Sequence, residues 1–393
     1  MSAASTTVRS RRFVTAGVVL FVLWQAATVA GAPRRVQVTL GLHGAILLTV
    51  FGKAHALVPS YFDRTLVPTW APAVTVPLAV GGVLAFAIGL WADLVTLTAV
   101  GAVAWALGAA GIAATLVWTV HDNLLGRETG TSDANADRRG LDRAANAVVP
   151  VALGYLLAGA YVTAAGYTPL PPLVDGYPPR ATHLLAAGVG VLLVLGVGFR
   201  LFPRFLAARP PRWAPQVSLL AGAVGPALLA VGIPAGSLLV AGGVLETVAV
   251  GGFAGSLLTL FVRSDRTRVG FYGVAAGAVA GLLGVGLGLQ FALVRFDPTL
   301  VSLHLRVNLL GFLGLTVVGA AYQFYPPAVG TFPGASDRTA LTSIALVAVG
   351  LAVETVGLAA GAGVRTTGQV LALGGTVGYA YLVVGLFRER YWS

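Results

Sequence analysis

Apolar runs of membrane-spanning length alternate with short polar segments along almost the whole chain. A helix that crosses a bilayer needs about 20 predominantly apolar residues, because each residue advances the helix by about 1.5 Å. Twelve runs meet this requirement, so the pattern predicts an all-α, polytopic membrane protein. The predicted spans are residues 13–31, 36–58, 74–92, 95–120, 147–166, 182–202, 216–233, 236–262, 269–293, 299–325, 340–361 and 366–386.

Three of these spans share a pattern of proline and glycine. When the second, sixth and tenth spans are aligned on their final prolines, glycine occurs seven and fifteen residues earlier in each copy. The aligned residues are Pro59, Pro203 and Pro326; Gly52, Gly196 and Gly319; and Gly44, Gly188 and Gly311. Each span is second in its own set of four, so we predict one membrane domain, 1–393, with three parallel pseudo-repeats, 13–120, 147–262 and 269–386. Sites in repeated membrane folds usually lie between the repeats.

Composition supports the membrane class. The chain is 57% hydrophobic and 10% charged, with a mean hydropathy of +0.85, which excludes an ordinary soluble domain. The net charge of +11 comes without a compact basic domain carrying interleaved aromatic residues, so nucleic-acid binding is not expected. Because cysteine is absent, disulfides, thiolate metal sites and thioether haem attachment are excluded.

The distribution of basic residues predicts the orientation. Cytoplasmic loops collect Lys and Arg. With the N-terminus inside, seventeen of the 25 basic residues fall on the inner side, five on the outer side (Arg34, Arg35, Arg180, Arg295 and Arg365) and three within spans (Lys53, Arg200 and Arg306). We therefore expect a multi-pass protein of the cell membrane, in contact with lipid, with both termini cytoplasmic. The opening stretch also has features of a cleavable signal, but its length and this balance favour a span. Residues 121–146 are polar and are interpreted as a flexible cytoplasmic loop.

Ionisable side chains inside the spans are the candidate functional residues. Such residues are costly in lipid, so they usually face the bundle interior, a partner or a bound group. His43, His183 and His304, together with Arg306, cluster near the same end of their spans. Further polar residues lie within spans: Arg200, Glu246, Gln323 and Glu354. Either glutamate could pair with either arginine. Lys53 and His55 lie near an inner end, where we expect structural or interfacial roles, with the lysine reaching the interface and His55 solvated.

Two segments carry a resemblance to a known family. LHGAILLTVFGKAHALVP, residues 42–59, is similar to the second helix of subunit I of the haem-copper oxidases, where a His-Gly pair precedes a small-residue run. HLRVNLLGFLGLTVVGAAYQFYP, residues 304–326, resembles the tenth helix, whose His-x-His pair directs one imidazole to each of two haems. The segment containing His183 and Arg200 resembles the NnrS family, membrane proteins of nitric oxide stress reported to carry haem and copper. Twelve helices in three sets of four also match the oxidase architecture.

The resemblance implies cofactors but also departs from the oxidase pattern. It implies haem ligation by His43 and His304, with Arg306 where the family has the second histidine of the pair. Arginine cannot be deprotonated to bind iron, so one low-spin haem ligand is missing. The seventh span contains no histidine for a copper centre. A proton-pumping oxidase or an ordinary nitric oxide reductase is therefore not expected.

Three functional hypotheses follow. The first is a haem- or copper-binding membrane protein that handles or senses nitric oxide or oxygen, with His43, His183 and His304 as metal ligands and Arg306 neutralising a haem propionate or a small anion. The second is a permease whose polar residues Arg200, Arg306, Glu246 and Gln323 line a path for an anion or small metabolite. The third is a cofactor-free scaffold that partners other redox membrane subunits, in which each histidine is simply hydrogen-bonded inside the bundle.

Overall fold

A computed structural model describes residues 3–294 and 296–391, with side chains described from Ser10 to Arg390 outside residue 295. Arg295, one of the five arginines expected on the outer side, lies outside the described residues. Within them all regular structure is helical, and twelve helices are long and apolar enough to cross a membrane. These are α1 (Ala3–Val29), α2 (Arg34–Tyr61), α3 (Ala71–Trp91), α4 (Val95–Val120), α5 (Arg139–Ala165), α6 (Pro178–Phe205), α7 (Ala214–Gly232), α8 (Ser237–Arg263), α9 (Gly270–Leu293), α10 (298–324), α11 (Asp337–Ala360) and α12 (Ala362–Tyr391).

The outer helices pack in chain order. Helices α3 and α4, α7 and α8, and α11 and α12 form tightly packed hairpins. The second helix of each hairpin then packs against the next helix along the chain, α4 on α5 and α8 on α9, and α12 packs on α1. The three remaining helices, α2, α6 and α10, are the most buried of the spans, with 72%, 67% and 61% of their apolar windows inside the protein. They therefore form the interior of a bundle whose first and last helices are in contact.

Each interior helix contains a π-helical segment. The segments are Thr39–Ile46 in α2, Ala186–Val191 in α6 and Val307–Gly314 in α10, and they start within three residues of one another in the proline alignment. The segments of α2 and α6 each contact that of α10. A π-helical turn holds an extra residue and is frequent at functional sites, because it redirects the side chains around it.

The glycines seven residues before the aligned prolines allow close helix contacts. A Cβ atom at Gly52 would lie 2.7 Å from the Ser10 carbonyl oxygen of α1, and one at Gly196 would lie 2.8 Å from Val148 of α5. A Cβ at Gly319 would likewise be too close to the backbone of α9. Glycine at these positions therefore lets α2 lie close to α1, α6 close to α5 and α10 close to α9.

The two ends of the bundle differ in charge. The arginine-rich face is the end that contains the last residues of α2 and α6 and the start of α5, and the opposite face contains Arg34, Arg180 and Arg365. At the arginine-rich face, Arg200 stacks on the Tyr61 ring, with its carbon Cζ 4.0 Å from the ring centroid, and donates to Asn146 Oδ1 at 2.7 Å. Arg204 forms a bidentate pair with the fully buried Asp142, at 2.9 and 2.6 Å. The assignment of this face to the cytoplasm remains a prediction.

Part of the segment expected to be a loop is helical. Helix α5 begins at Arg139, inside 121–146, because Asp142 and Asn146 extend the apolar run as buried, paired side chains. The preceding residues pack against the end of α2, where Arg64 pairs with Asp122 at 2.9 Å and with Glu128 at 2.6 Å. Hydropathy alone places the start of this helix too late, since it counts paired polar residues as loop.

The expectation that His55 is solvated is wrong. Its side chain is 1% exposed, its ring stacks on Phe13 with centroids 5.5 Å apart, and its Nδ1 lies 2.7 Å from the Phe51 carbonyl oxygen. Neighbouring Lys53 donates to the Tyr325 hydroxyl at 2.9 Å and lies over two aromatic rings. Helix α1 covers the position that the sequence suggested would face water.

Candidate functional site

Helices α6 and α10 bring two of the three candidate histidines together. The rings of His183 and His304 are nearly parallel, with an interplanar angle of 23° and centroids 6.4 Å apart. Both side chains are partly buried. They lie near the face opposite the arginine-rich one, just before the π-helical segments of their helices. A pair of imidazoles in this position is the arrangement that the bundle offers for metal ligation.

Backbone carbonyls fix the orientation of both rings. His183 Nδ1 lies 2.8 Å from the Pro179 carbonyl oxygen, one helical turn earlier, and His304 Nδ1 lies 3.0 Å from the Gly284 carbonyl oxygen of α9. Because a carbonyl oxygen can only accept a hydrogen bond, we assign the proton to Nδ1 of each ring. The Asn308 amide nitrogen, which lies 3.3 Å from His304 Nδ1, then donates to the His304 carbonyl oxygen instead. The lone pair is then on Nε2. Metal-ligating histidines are usually oriented in this way, by an N–H that donates to the protein behind them.

The surroundings of His304 are close-packed. Asn308 Nδ2 donates to the His304 carbonyl oxygen at 2.8 Å, and the Phe291 ring contacts the imidazole edge to face, with centroids 5.6 Å apart. A Cβ atom at Gly288 would lie 3.1 Å from His304 Cε1, so α9 offers a glycine surface beneath the ring. The imidazole is held by its neighbours as well as by its hydrogen bond.

Helix α6 is anchored one turn before His183. Asp175 pairs with Arg180 through both carboxylate oxygens, each at 2.7 Å, and accepts the Tyr177 amide at 3.0 Å. These contacts lower the pKa of Asp175 to about 2, chiefly through the guanidinium that donates to it. Arg180 also donates to the carbonyl oxygens of Ala230 and Val231 at the end of α7.

His43 does not join the other two histidines. Its ring packs edge to face on Trp105 of α4 and Phe86 of α3, with centroids 4.5 and 5.9 Å away. Neither ring nitrogen makes a well-aligned hydrogen bond with the described residues, the Val38 carbonyl being a poorly aligned neighbour. The expected set of His43, His183 and His304 at one metal is therefore not assembled. Within the described residues, no group of three or more His, Cys, Asp or Glu side chains is placed to hold a metal ion.

Arg306 faces the opposite side of α10 from His304. Its Nε and Nη2 donate to Glu354 Oε2 of α11 at 3.0 and 2.8 Å, and Nη2 also donates to Gln25 Oε1 of α1 at 2.9 Å. Gln369 Nε2 of α12 donates to Glu354 Oε1 at 3.1 Å. The guanidinium lies 5.3 Å from the Trp24 ring centroid. This network joins four helices in the region where the oxidase pattern would place the low-spin haem.

The structure separates the residues expected to face one haem. Two positions along a helix differ by about 200°, as the sequence implies for His304 and Arg306. His43, however, contacts α3 and α4, whereas Arg306 contacts α1, α11 and α12. A haem between His43 and position 306 therefore does not fit these contacts.

The remaining polar residues have separate roles. Glu354 pairs with Arg306, one of the two partners expected for it. Glu246 forms no ion pair among the described residues, and its Oε1 lies against Gly225 of α7 without a hydrogen-bond partner. Both amide atoms of the buried Gln323 also lack partners in the described part of the chain. Arg200 belongs to the arginine-rich face and is neutralised with Arg204 by Asp142.

Sequence reasoning missed the residues that complete these networks. Gln25 and Gln369 lie within apolar spans, where an amide is a detectable anomaly, but neither was considered. Asp142 and Asn146 were assigned to a loop and so were not treated as buried partners of Arg200. Fold and site together define a polytopic α-helical membrane protein with a partly buried histidine pair. No protein-family model matches the chain, and no curated protein matches it either.

Proposed function

We propose that this chain is a metal-binding integral membrane protein in which His183 and His304 hold a copper ion or another late first-row metal ion. The observation that carries the proposal is the pair of facing imidazoles, each with Nδ1–H bonded to a backbone carbonyl and Nε2 left to bind. Metal–nitrogen bonds are about 2.0–2.1 Å long, so two ring centroids lie roughly 6 Å apart when their nitrogens bind opposite sides of one ion, and about 5 Å apart at a tetrahedral ion. The observed separation of 6.4 Å is close to the first of these.

The threefold arrangement of the helices is also part of this proposal. Three hairpins, three interior helices with aligned π-helical segments and a contact between the first and last helices support a threefold arrangement like that of haem-copper oxidase subunit I. In that arrangement the histidine pair corresponds to the high-spin side of the tenth helix. A bound metal would supply Lewis acidity and open coordination positions. The resemblance makes nitric oxide or oxygen the expected small ligand.

Haem is the less favoured cofactor. A groove of about 830 Å³ lies between α9, α10 and α11, and neither histidine of the pair lines it. On the other side of α10, the Arg306 network fills the region that a low-spin haem would need. The residues present fit a small ion held by two imidazoles better than an iron porphyrin between His43 and position 306.

A cofactor-free scaffold for redox subunits is the second candidate. The Arg306–Glu354 network favours it, because paired side chains occupy the region where a low-spin haem would lie. A permease gains less support, since an anion path needs an unneutralised cation, and both Arg200 and Arg306 face buried carboxylates. The scaffold predicts a colourless, metal-free protein, whereas the metal-site proposal does not.

The test is elemental analysis with an optical spectrum and a pyridine haemochrome assay on detergent-purified protein from cells supplied with copper and haem. We expect one late metal ion per chain, and His183→Ala and His304→Ala should each reduce occupancy at least tenfold while folded yield is retained. His43→Ala and the exposed His121→Ala are matched controls and should keep wild-type occupancy. Metal-free wild-type protein, or equal occupancy in all four variants, would overturn the proposal and favour the scaffold.

A further inference from the structure

An apolar groove opens on the outside of the bundle between α9, α10 and α11. Its volume is about 830 Å³, within the range of roughly 300–1,000 Å³ that is common for ligand pockets. Its walls include Val279, Leu283 and Leu287 of α9, Leu303 of α10 and Val356 of α11. Leu283 and Val356 are 60% and 61% exposed. The groove therefore opens where the acyl chains of a bilayer lie.

A small polar cleft continues the groove towards the face opposite the arginine-rich one. Groove and cleft share the wall residues Leu303, Leu351 and Thr355. The cleft adds Ser302 and Arg306 of α10, Glu354 and Leu358 of α11, and Arg365 of α12. Its volume of about 20 Å³ is enough for one oxygen-sized atom. An elongated apolar group in the groove would thus have its polar end at this cleft.

The cleft contains a guanidinium nitrogen that lacks an acceptor in the described part of the chain, and it carries positive charge from arginine side chains. Arg306 is 5% exposed, and its Nη1 has no hydrogen-bond partner among the described residues. Arg365 is exposed and forms no ion pair within the described residues, and Arg34 donates to Ser302 Oγ at 2.8 Å. A buried guanidinium nitrogen without an acceptor is expensive, so an acceptor from a bound molecule is expected there.

The nearby carboxylates do not cancel this charge. Glu354 is already engaged by Arg306 and Gln369. Asp297, at the start of α10, accepts the backbone amides of Thr299 and Leu300 and so caps its own helix. Arginine binds phosphate oxygens through two parallel hydrogen bonds, and basic pockets between membrane helices commonly bind anionic lipid headgroups.

We propose that the groove between α9, α10 and α11 binds an anionic phospholipid, whose chain fills the groove and whose phosphate binds at Arg365, Arg34 and Ser302. An oxygen of the lipid backbone reaches Arg306 Nη1 through the cleft. The charge at the cleft distinguishes this occupant from a zwitterionic or uncharged lipid. The site lies on the other side of α10 from the histidine pair, so it stands independently of the proposed metal function.

The experiment is native mass spectrometry of the full chain in mild detergent, titrated with phosphatidylglycerol or phosphatidylcholine of the same chain length. We expect one tightly held phosphatidylglycerol and at least fivefold weaker phosphatidylcholine binding. Arg365→Gln should weaken phosphatidylglycerol about fivefold, the effect of one surface charge near a lipid headgroup. Arg35→Gln removes an exposed arginine from the same face outside the groove and should leave binding unchanged.

A second variant tests the groove without touching the charge. A Cβ atom at Gly286, which lines the groove, meets no atom within 4 Å, so Gly286→Phe fills space without a backbone clash. It should weaken both lipids, whereas Gly255→Phe, at an exposed and equally open position of α8, should not. The proposal is overturned if the two lipids bind equally, if Arg365→Gln and Gly286→Phe both bind like wild type, or if millimolar inorganic phosphate displaces the lipid, which would indicate a free-anion site.

Discussion

Each side of α10 carries a basic side chain, but within the described residues only the one on the Arg306 side is paired with a carboxylate. On one side, the Nδ1 of His304 is bonded to a backbone carbonyl, and its ring lies beside that of His183, so that only Nε2 is left to bind. On the other side, two residues further along, Arg306 is closed into a network with Glu354, Gln25 and Gln369. The same helix therefore keeps one side available for ligation and fills the other with paired charges.

This difference shows how the bundle interior accommodates a buried arginine. Arginine at position 306 cannot bind a metal, but its charge can be buried if a carboxylate accompanies it. Glu354 supplies that carboxylate, and two glutamines satisfy further hydrogen bonds. We infer that the Arg306 side contributes to stability and the His304 side to ligand binding. Three predictions test this division, and a fourth concerns the start of α6.

The largest expected loss of stability comes from breaking the buried Arg306–Glu354 ion pair. Glu354→Gln should destabilise the protein by about 3–5 kcal/mol, because it leaves the Arg306 charge buried without its partner. The measurement is unfolding in mixed micelles titrated with a denaturing detergent. Glu246→Gln, the same change at a buried glutamate without an ion pair in the described structure, should cost less than about 1 kcal/mol. Equal effects at the two positions would contradict a stabilising role for the pair.

The second effect concerns the glutamine that supports Glu354. Gln369→Leu should cost about 1.5–3 kcal/mol, since a hydrogen bond to a charged group is lost and Glu354 Oε1 is left without it. The same unfolding assay applies. Gln323→Leu is the control, because both amide atoms of Gln323 lack partners among the described residues. A loss of stability at Gln323 as large as that at Gln369 would show that the assay reports amide burial rather than the network.

The third prediction concerns metal affinity on the His304 side of α10. Gly288→Ala places a methyl group 3.1 Å from His304 Cε1, so the ring must shift by a few tenths of an ångström. Changes of this kind around a metal ligand reduce affinity by about tenfold. Copper titration of the purified protein gives the affinity, with Gly286→Ala as the control, since that position opens into free space. Unchanged affinity would show that the ring position is not critical for binding.

The smallest effect is expected at the Asp175–Arg180 pair, which anchors the start of α6 and whose Asp175 lies outside the membrane-spanning segments. The Arg180 guanidinium lowers the pKa of Asp175 from its ordinary value of 3.8 to about 2. Because the pKa is lower in the folded state, the pair stabilises the protein above about pH 3.8, and this contribution is lost as pH falls through 2. The melting temperatures of wild type and Asp175→Asn should differ slightly at pH 6 and converge near pH 2. A difference that persists at pH 2 would contradict this origin.

Most of the helices could be predicted from sequence because hydrophobic length is a local property. All twelve predicted spans correspond to helices, with the main boundary difference at α5, where buried Asp142 and Asn146 were interpreted as loop. The proximity of His183 and His304 was expected in part, since both lie near the same end of their spans. The alignment of repeats, however, could not show which way each ring points, so His43 was placed with them although it faces α3 and α4.

It was harder to predict which buried side chains form ion pairs than to predict which helix carries each of them. Glu354 was equally compatible with Arg200 and Arg306, because the sequence does not reveal which helices are neighbours across the bundle. The structure resolves this through the contact of α12 with α1, which brings Gln369, Gln25 and the Arg306–Glu354 pair into one network. Helix packing between distant parts of the chain therefore decides the electrostatics of the interior.

The contact between α1 and α12 also shows that neighbours in the bundle need not be neighbours in the sequence. The twelve described helices leave the start of α1 and the end of α12 at the same face, and these two helices lie side by side. Within the described residues, the outer helices thus form a closed ring. A linker from the end of α12 to the start of α1 could therefore replace the connection between α4 and α5 or between α8 and α9, and such circular permutants would retain the helix contacts described here.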